Sequence, residues 1–134
     1  MEIWTQIQWL AGVVGGVIYF GIGALWYGPL FGKAWMKEKG MGENPEPPKL
    51  VLFIITVILQ MIVGCSLLIF ISLFEIGSSL SGMLMGLYIS LGFVATTVGV
   101  NGVYNNMSLK LFAIDAGYHV IGFTAAGAFI GWWV

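Results

Sequence analysis

Charge is what this sequence has least of. Of its 134 residues only 8% are Asp, Glu, Lys or Arg, against 59% hydrophobic. A soluble domain carries about 25% charged residues, and a chain this short has too much surface to cover with so few. That excludes an ordinary soluble fold and makes the lipid bilayer the expected surroundings. The few charges nearly cancel, to a formal net charge of −1, so no basic patch is present and nucleic acid is excluded as a partner. Cysteine is scarce too. Cys65 is alone and sits inside an apolar run, so an intramolecular disulfide is impossible and a packing role is expected. The single aspartate and single histidine, Asp115 and His119, fall short of the three or four ligands of a usual metal site unless a symmetric oligomer completes the set. No serine or cysteine stands at an obvious partner position for nucleophilic catalysis. No metal, cofactor or enzymatic activity is therefore expected. The opening Met1-Glu2 offers no basic stretch and the apolar run after it is too long for an h-region, which predicts no cleaved signal peptide.

Long uncharged runs fill the rest. Residues 3–32, 50–74 and 76–109 carry no charge, and 111–134 carry only Asp115. About 20 apolar residues cross a bilayer core of roughly 30 Å as a helix. The runs are continuous rather than alternating, which argues against strands and a barrel. The expected fold is all-α: a polytopic membrane protein with a four-helix transmembrane bundle. Its spans fall at about 5–30, 50–73, 79–104 and 111–132, in one transmembrane domain over 1–134. Lys33, Lys37, Lys39 and Lys49 lie in the first loop and Lys110 in the third, while the second loop, FEIGSS, has Glu75 and no lysine. Lysine-rich loops stay in the cytoplasm. That places loops 31–49 and 105–110 in the cytoplasm and both termini outside, in a multi-pass protein of the cell inner membrane. The tryptophans fit an interfacial belt, with Trp4, Trp9, Trp132 and Trp133 at the outer boundary and Trp26 and Trp35 at the inner one.

Small residues recur four apart: Gly12 and Gly16, Gly28 and Gly32, Gly122 and Ala126, Gly127 and Gly131, and the row Ser78, Gly82, Gly86, Ser90. Such rows let helix backbones approach closely. For the third-span row, packing within one bundle and contact in a homo-oligomer are equally compatible with the sequence. The first and third spans run the same way and both end in a lysine-plus-aromatic stretch, LFGKAW and SLKLF, which hints at a two-plus-two parallel duplication. In the first loop, Lys33–Lys39 reads as a short interfacial helix with Gly40 as its C-cap. ENPEPPK then forms a stiff polar linker.

The stretch LKLFAIDAGYHVIGF places Asp115 and His119 four residues apart among apolar neighbours. A fourth helix starting near Ser108 puts Asp115 about 8–10 Å and His119 about 15 Å along its axis, on one face where they can touch. A helix starting at Asp115 instead makes that residue an interfacial N-cap. An ionised residue within the membrane should face protein or water rather than lipid. Thr96, Thr97 and Asn101 of the third span, and Trp26 and Tyr27 at the end of the first, lie toward the same side, with Gln60 nearer the midplane. Together they predict a polar cluster near the cytoplasmic face. One reading is an oligomeric channel or transporter for a small solute or ion, with Asp115 and His119 as polar or proton-linked groups. The rival is a structural or interaction protein whose cluster only holds the helices together.

The motifs GALWYGPLFGKAWM, and LGFVATT with the following Asn, Tyr and LKLFAIDAGYHV, resemble bacterial membrane proteins of the domain of unknown function 1761 family. The resemblance covers nearly the whole chain. It implies a small four-span membrane protein and brings no catalytic or ligand-binding residues with it. Among the residues that carry the resemblance are Trp26, Tyr27, Pro29, Trp35, Thr96, Thr97, Asn101, Tyr118 and His119, and Tyr118 joins the candidate cluster on that ground.

Overall fold

A computed structural model describes residues 7–134. The expectations placed on Glu2, on Trp4 and on the start of the first span lie outside those residues. The described elements are helices. Helix α1 (Trp9–Leu25) continues through a π-helical turn (Trp26–Leu30), and α2 (Gly32–Glu38) follows it. Helix α3 (Leu50–Leu73) comes next. Helix α4 (Ser79–Ile89) passes through a π-helical stretch (Ser90–Ala95) into α5 (Thr96–Tyr104), and α6 (Leu109–Trp133) closes the chain. Four stretches are long and apolar enough to cross a membrane: Trp9–Leu30, Leu50–Leu73, Ser79–Tyr104 and Leu109–Trp133. The protein is an all-α, multi-pass, four-helix membrane bundle.

Helix is forced by the solvent, because a bilayer offers no partner to an unpaired backbone amide or carbonyl. The ends are set by short polar residues. The Ser78 hydroxyl accepts from the Ser81 amide (3.1 Å), and the Ser108 hydroxyl from the Leu111 amide (3.1 Å), two side-chain N-caps. With Ser108 as the cap, Asp115 lies inside the fourth span and is no N-cap. Gly40 closes α2 with φ at +69°, a left-handed value that glycine adopts without penalty, and its amide donates to the Lys37 carbonyl (3.1 Å).

The spans lie in the order second, first, fourth, third. Each half of the chain is thus a hairpin, with the first span inner and the third outer. Glycines close the two outer seams. A Cβ on Gly12 would lie 2.8 Å from the Cys65 Cα, and one on Gly82 would lie 3.0 Å from the Gly131 Cα. The third-span row is therefore used inside the bundle, where Gly82, Gly86 and Ser90 are buried. Its availability to a second copy is corrected by that burial. The middle seam, first span against fourth, sets glycines against large side chains instead of against backbone: Gly15 faces Ile130 and Gly122 faces the Tyr19 ring. Ala11, Leu67, Ala126 and Ile130 pack toward one end, where Trp133 Nε1 also donates to Gln8 Oε1 (2.7 Å). Tyr19, Tyr118 and Phe123 form a second cluster further along. Ile54, Ile55, Ile58 and Ile62 of α3 are exposed, as expected for a face solvated by lipid.

Candidate functional site

The site begins with Pro29. Proline has no amide hydrogen, and its ring crowds the carbonyl four residues before it. Here the first span widens into a π turn instead of breaking, and the Phe31 amide reaches back to the Trp26 carbonyl (2.7 Å). A wider turn changes which neighbouring side chains share a face. As a result two consecutive residues both reach the fourth span. Trp26 Nε1 donates to the Ile114 carbonyl (2.9 Å), and the Tyr27 hydroxyl donates to Asp115 Oδ1 (2.7 Å).

A third donor comes from α2, which folds back against the start of α6. Trp35 Nε1 donates to the same Asp115 Oδ1 (3.1 Å). The end of α2 is tied down where the Ser108 hydroxyl donates to Glu38 Oε2 (2.7 Å). Lys39 lies with its ammonium 5.3 Å from the Trp35 ring. Trp26 and Trp35 thus hold the site together, beyond the interfacial role expected of them.

One turn further into the bundle, the Tyr19 hydroxyl and His119 Nδ1 share a hydrogen bond. The Tyr118 hydroxyl donates to the Tyr19 carbonyl (3.2 Å) and accepts from Gln60 Nε2. Because the tyrosine proton is committed to the carbonyl, the Gln60 amide must present its N–H to Tyr118. Gln60 Oε1 is then left buried with no hydrogen-bond partner, on a residue only 7% exposed. The Tyr118 ring stands 5.1 Å from Tyr19 and 5.2 Å from Tyr27, centroid to centroid. Glycine makes room for it: a Cβ on Gly23 would lie 2.8 Å from the Tyr118 hydroxyl.

Beside these groups lies an open cavity of about 990 Å³. Its walls come from the first, second and fourth spans, from Val98 of the third, and from the segment between Trp35 and Pro48. Asp115, Tyr118, His119, Tyr27 and Gln60 line it among apolar and aromatic neighbours, and Glu46 reaches it from the loop. A mostly apolar cavity with a few convergent polar groups has the makeup of a small-molecule site.

The structure brings Asp115, His119, Tyr118, Tyr27 and Trp26 together, with Trp26 behind the wall. Asp115 and His119 share the cavity without bonding to each other, since each is held by a different tyrosine of the first span. Thr96, Thr97 and Asn101 do not line the cavity. They lie on the exposed face of the third span, where Thr96 donates to the Gly92 carbonyl (2.9 Å) and Thr97 to the Phe93 carbonyl (2.6 Å). The physical reason is the second π stretch. An unbroken α-helix would continue the buried row Gly82, Gly86, Ser90 to Thr97 and Asn101. The extra residue held in the stretch moves the row by one, so Val98 lines the cavity and Gly102 is buried. The sequence sets Gln60 with the cluster but nearer the midplane, and Trp35, Glu46 and Tyr19 are not among its candidate site residues. Gln60 was findable as the one amide in its span, whereas Tyr19 carries no distinguishing pattern.

Residues 10–131 match the model of a family described as "Protein of unknown function (DUF1761)". No curated protein and no solved structure matches the chain.

Proposed function

We propose a function for this chain, which belongs to the DUF1761 family, from its cavity: it binds a small solute or ion there and carries it across the membrane as an oligomer. One observation carries the reading. The outer seams are closed to backbone contact by glycine, yet beside the middle seam the bundle keeps about 990 Å³ open against the Asp115 carboxylate, with an unpartnered amide oxygen buried within its Gln60 wall. A bundle selected only for packing gains nothing from an unsatisfied acceptor, which costs about 1–3 kcal/mol when buried. Intramembrane ionisable groups are costly and mark pathways. The lysine count supports a cavity mouth at the cytoplasmic face. An oligomer is supported by Thr97 and Asn101, whose exposure on an otherwise apolar face offers polar contacts to a second copy.

The rival reading, a bundle held by its own polar network, draws on the fact that Tyr27–Asp115, Tyr19–His119 and Gln60–Tyr118 all link different spans. Thiol accessibility separates the two. In a Cys65→Ser background, Thr56→Cys and Val98→Cys place a thiol on the cavity wall without touching that network, and Gly92→Cys places one on the lipid side. A membrane-impermeant thiol reagent should label the first two positions and spare the third. Failure to label either wall position would mean that no water reaches the cavity, and the network reading would stand.

A further inference from the structure

The cavity also carries a sign. Two carboxylic acids, Asp115 and Glu46, line it, no lysine or arginine does, and the basic residue on its wall, His119, is tied through Nδ1 to Tyr19. Tyr27 and Trp35 both donate to Asp115 Oδ1, which fixes the carboxylate's orientation. Among the described residues nothing hydrogen-bonds its Oδ2. Gln60 also lines the cavity, but its unpartnered Oε1 is itself buried and is not presented to an occupant. The remaining surface is largely aromatic: Tyr27, Trp35, Tyr118, Phe20 and Phe53 line it, and the faces of such rings attract cations. Trp35 already has an ammonium over its ring, that of Lys39.

Each alternative occupant meets an obstacle here. An anion would face two carboxylates. A bare metal ion needs a compact shell of about six oxygen ligands, which an aromatic cavity of this size does not gather. A neutral apolar solute would leave the Asp115 charge uncompensated within the membrane. Resting on the solute-carrying reading above, we propose that the solute is an organic cation, a substituted ammonium or a cation of similar shape. It sits against Asp115 with its apolar groups among the rings. The same chemistry is met by a free cation and by the cationic headgroup of a lipid entering from the bilayer.

The test uses two ions of matched shape and opposite charge, tetraphenylphosphonium and tetraphenylborate. Each is titrated into the purified full chain in maltoside micelles, and binding is read by calorimetry and by quenching of tryptophan fluorescence. The phosphonium should bind saturably and at least about tenfold more tightly than the borate. Asp115→Asn keeps an oxygen for Tyr27 and Trp35 and should weaken the phosphonium about tenfold or more, the size of a lost charged contact. Equal binding of the two ions, or an unchanged affinity in Asp115→Asn, would overturn the proposal. Should that variant fail to fold, Glu46→Gln on the exposed loop decides: a weaker phosphonium with unaltered borate supports the proposal, and no change overturns it. Absence of phosphonium binding in a protein whose Thr56→Cys variant labels would leave the cavity standing and the cation wrong. Absence of labelling would bring down the solute reading beneath it. Phosphatidylcholine added to the micelles identifies the source, because displacement of the phosphonium marks a headgroup and indifference marks a free cation.

Discussion

Tyr118 joins three spans through one hydroxyl. It donates to the first-span backbone at Tyr19, accepts from Gln60 of the second, and is itself rooted in the fourth. Its partners are not equal in consequence. Removing the hydroxyl leaves the Gln60 amide with both ends unpartnered in a buried place. Removing the amide leaves Tyr118 with its carbonyl and abolishes an acceptor that was already unsatisfied. Membrane hydrogen bonds average about 0.6 kcal/mol, but an orphaned buried group costs about 1–3 kcal/mol, so the second figure governs the tyrosine. Tyr118→Phe should lose stability in that range, and Gln60→Leu should stay within about 1 kcal/mol of the parent. Denaturant unfolding in detergent reads both. A Gln60→Leu variant as damaged as Tyr118→Phe would show that Oε1 has a partner. At this scale the sequence shows a residue only when its chemistry contrasts with its neighbours. Asp115 and His119 stand out in an apolar run, and so does Gln60. Tyr19 and Trp35 do not, because tyrosine and tryptophan are ordinary members of a membrane helix.

Elements behaved less predictably than their ends. Charge gaps located the spans to within a few residues, but the ordinary helical period, which leads from Ser90 to Thr97 and Asn101, failed across the stretch Ser90–Ala95. No proline marks it, and its composition, SLGFVA, is that of the helix around it. The first π turn had a visible cause in Pro29, though its effect on Trp26 and Tyr27 appears only once the fourth span is in place. Glycine spacing identified seams but not their partners. The row Gly82–Gly86 faces Phe123 and Gly127, whereas Gly21 and Gly28 face open space. The difference is measurable. A Cβ on Gly86 would lie 2.7 Å from the Phe123 carbonyl carbon, so Gly86→Ala must push α4 from α6 and should cost about 1–3 kcal/mol, the usual penalty of overpacking. Gly21→Ala meets nothing within 4 Å and should gain up to about 1 kcal/mol from helix propensity. Thermal unfolding of the two variants in one detergent compares them directly, and equal effects would mean that the third and fourth spans do not touch along this row.

The bundle as a whole was legible in number and length, not in arrangement. In water a helix reveals its inner face by the contrast between apolar and polar sides. In lipid both sides are apolar, so the order second, first, fourth, third leaves no mark on hydropathy. What does survive is the asymmetry of charge between loops, and it concerns the whole molecule. The first and third loops lie at one end of the bundle, joined by the bond between Glu38 and Ser108, and the cavity opens at that end against Glu46. By the positive-inside rule, the four lysines of the first loop and Lys110 of the third predict that this end lies in the cytoplasm. Gly77, in the lysine-free second loop, then faces outward. In the Cys65→Ser background, an impermeant maleimide applied to intact cells should label Gly77→Cys and spare Glu43→Cys. In inverted membrane vesicles the pattern should reverse. Labelling of Glu43→Cys from outside would turn the cavity mouth away from the cytoplasm. The cation would then be taken from the external medium, and the positive charge of the first loop would lie on the side the rule disfavours, held there by its contacts with the fourth span.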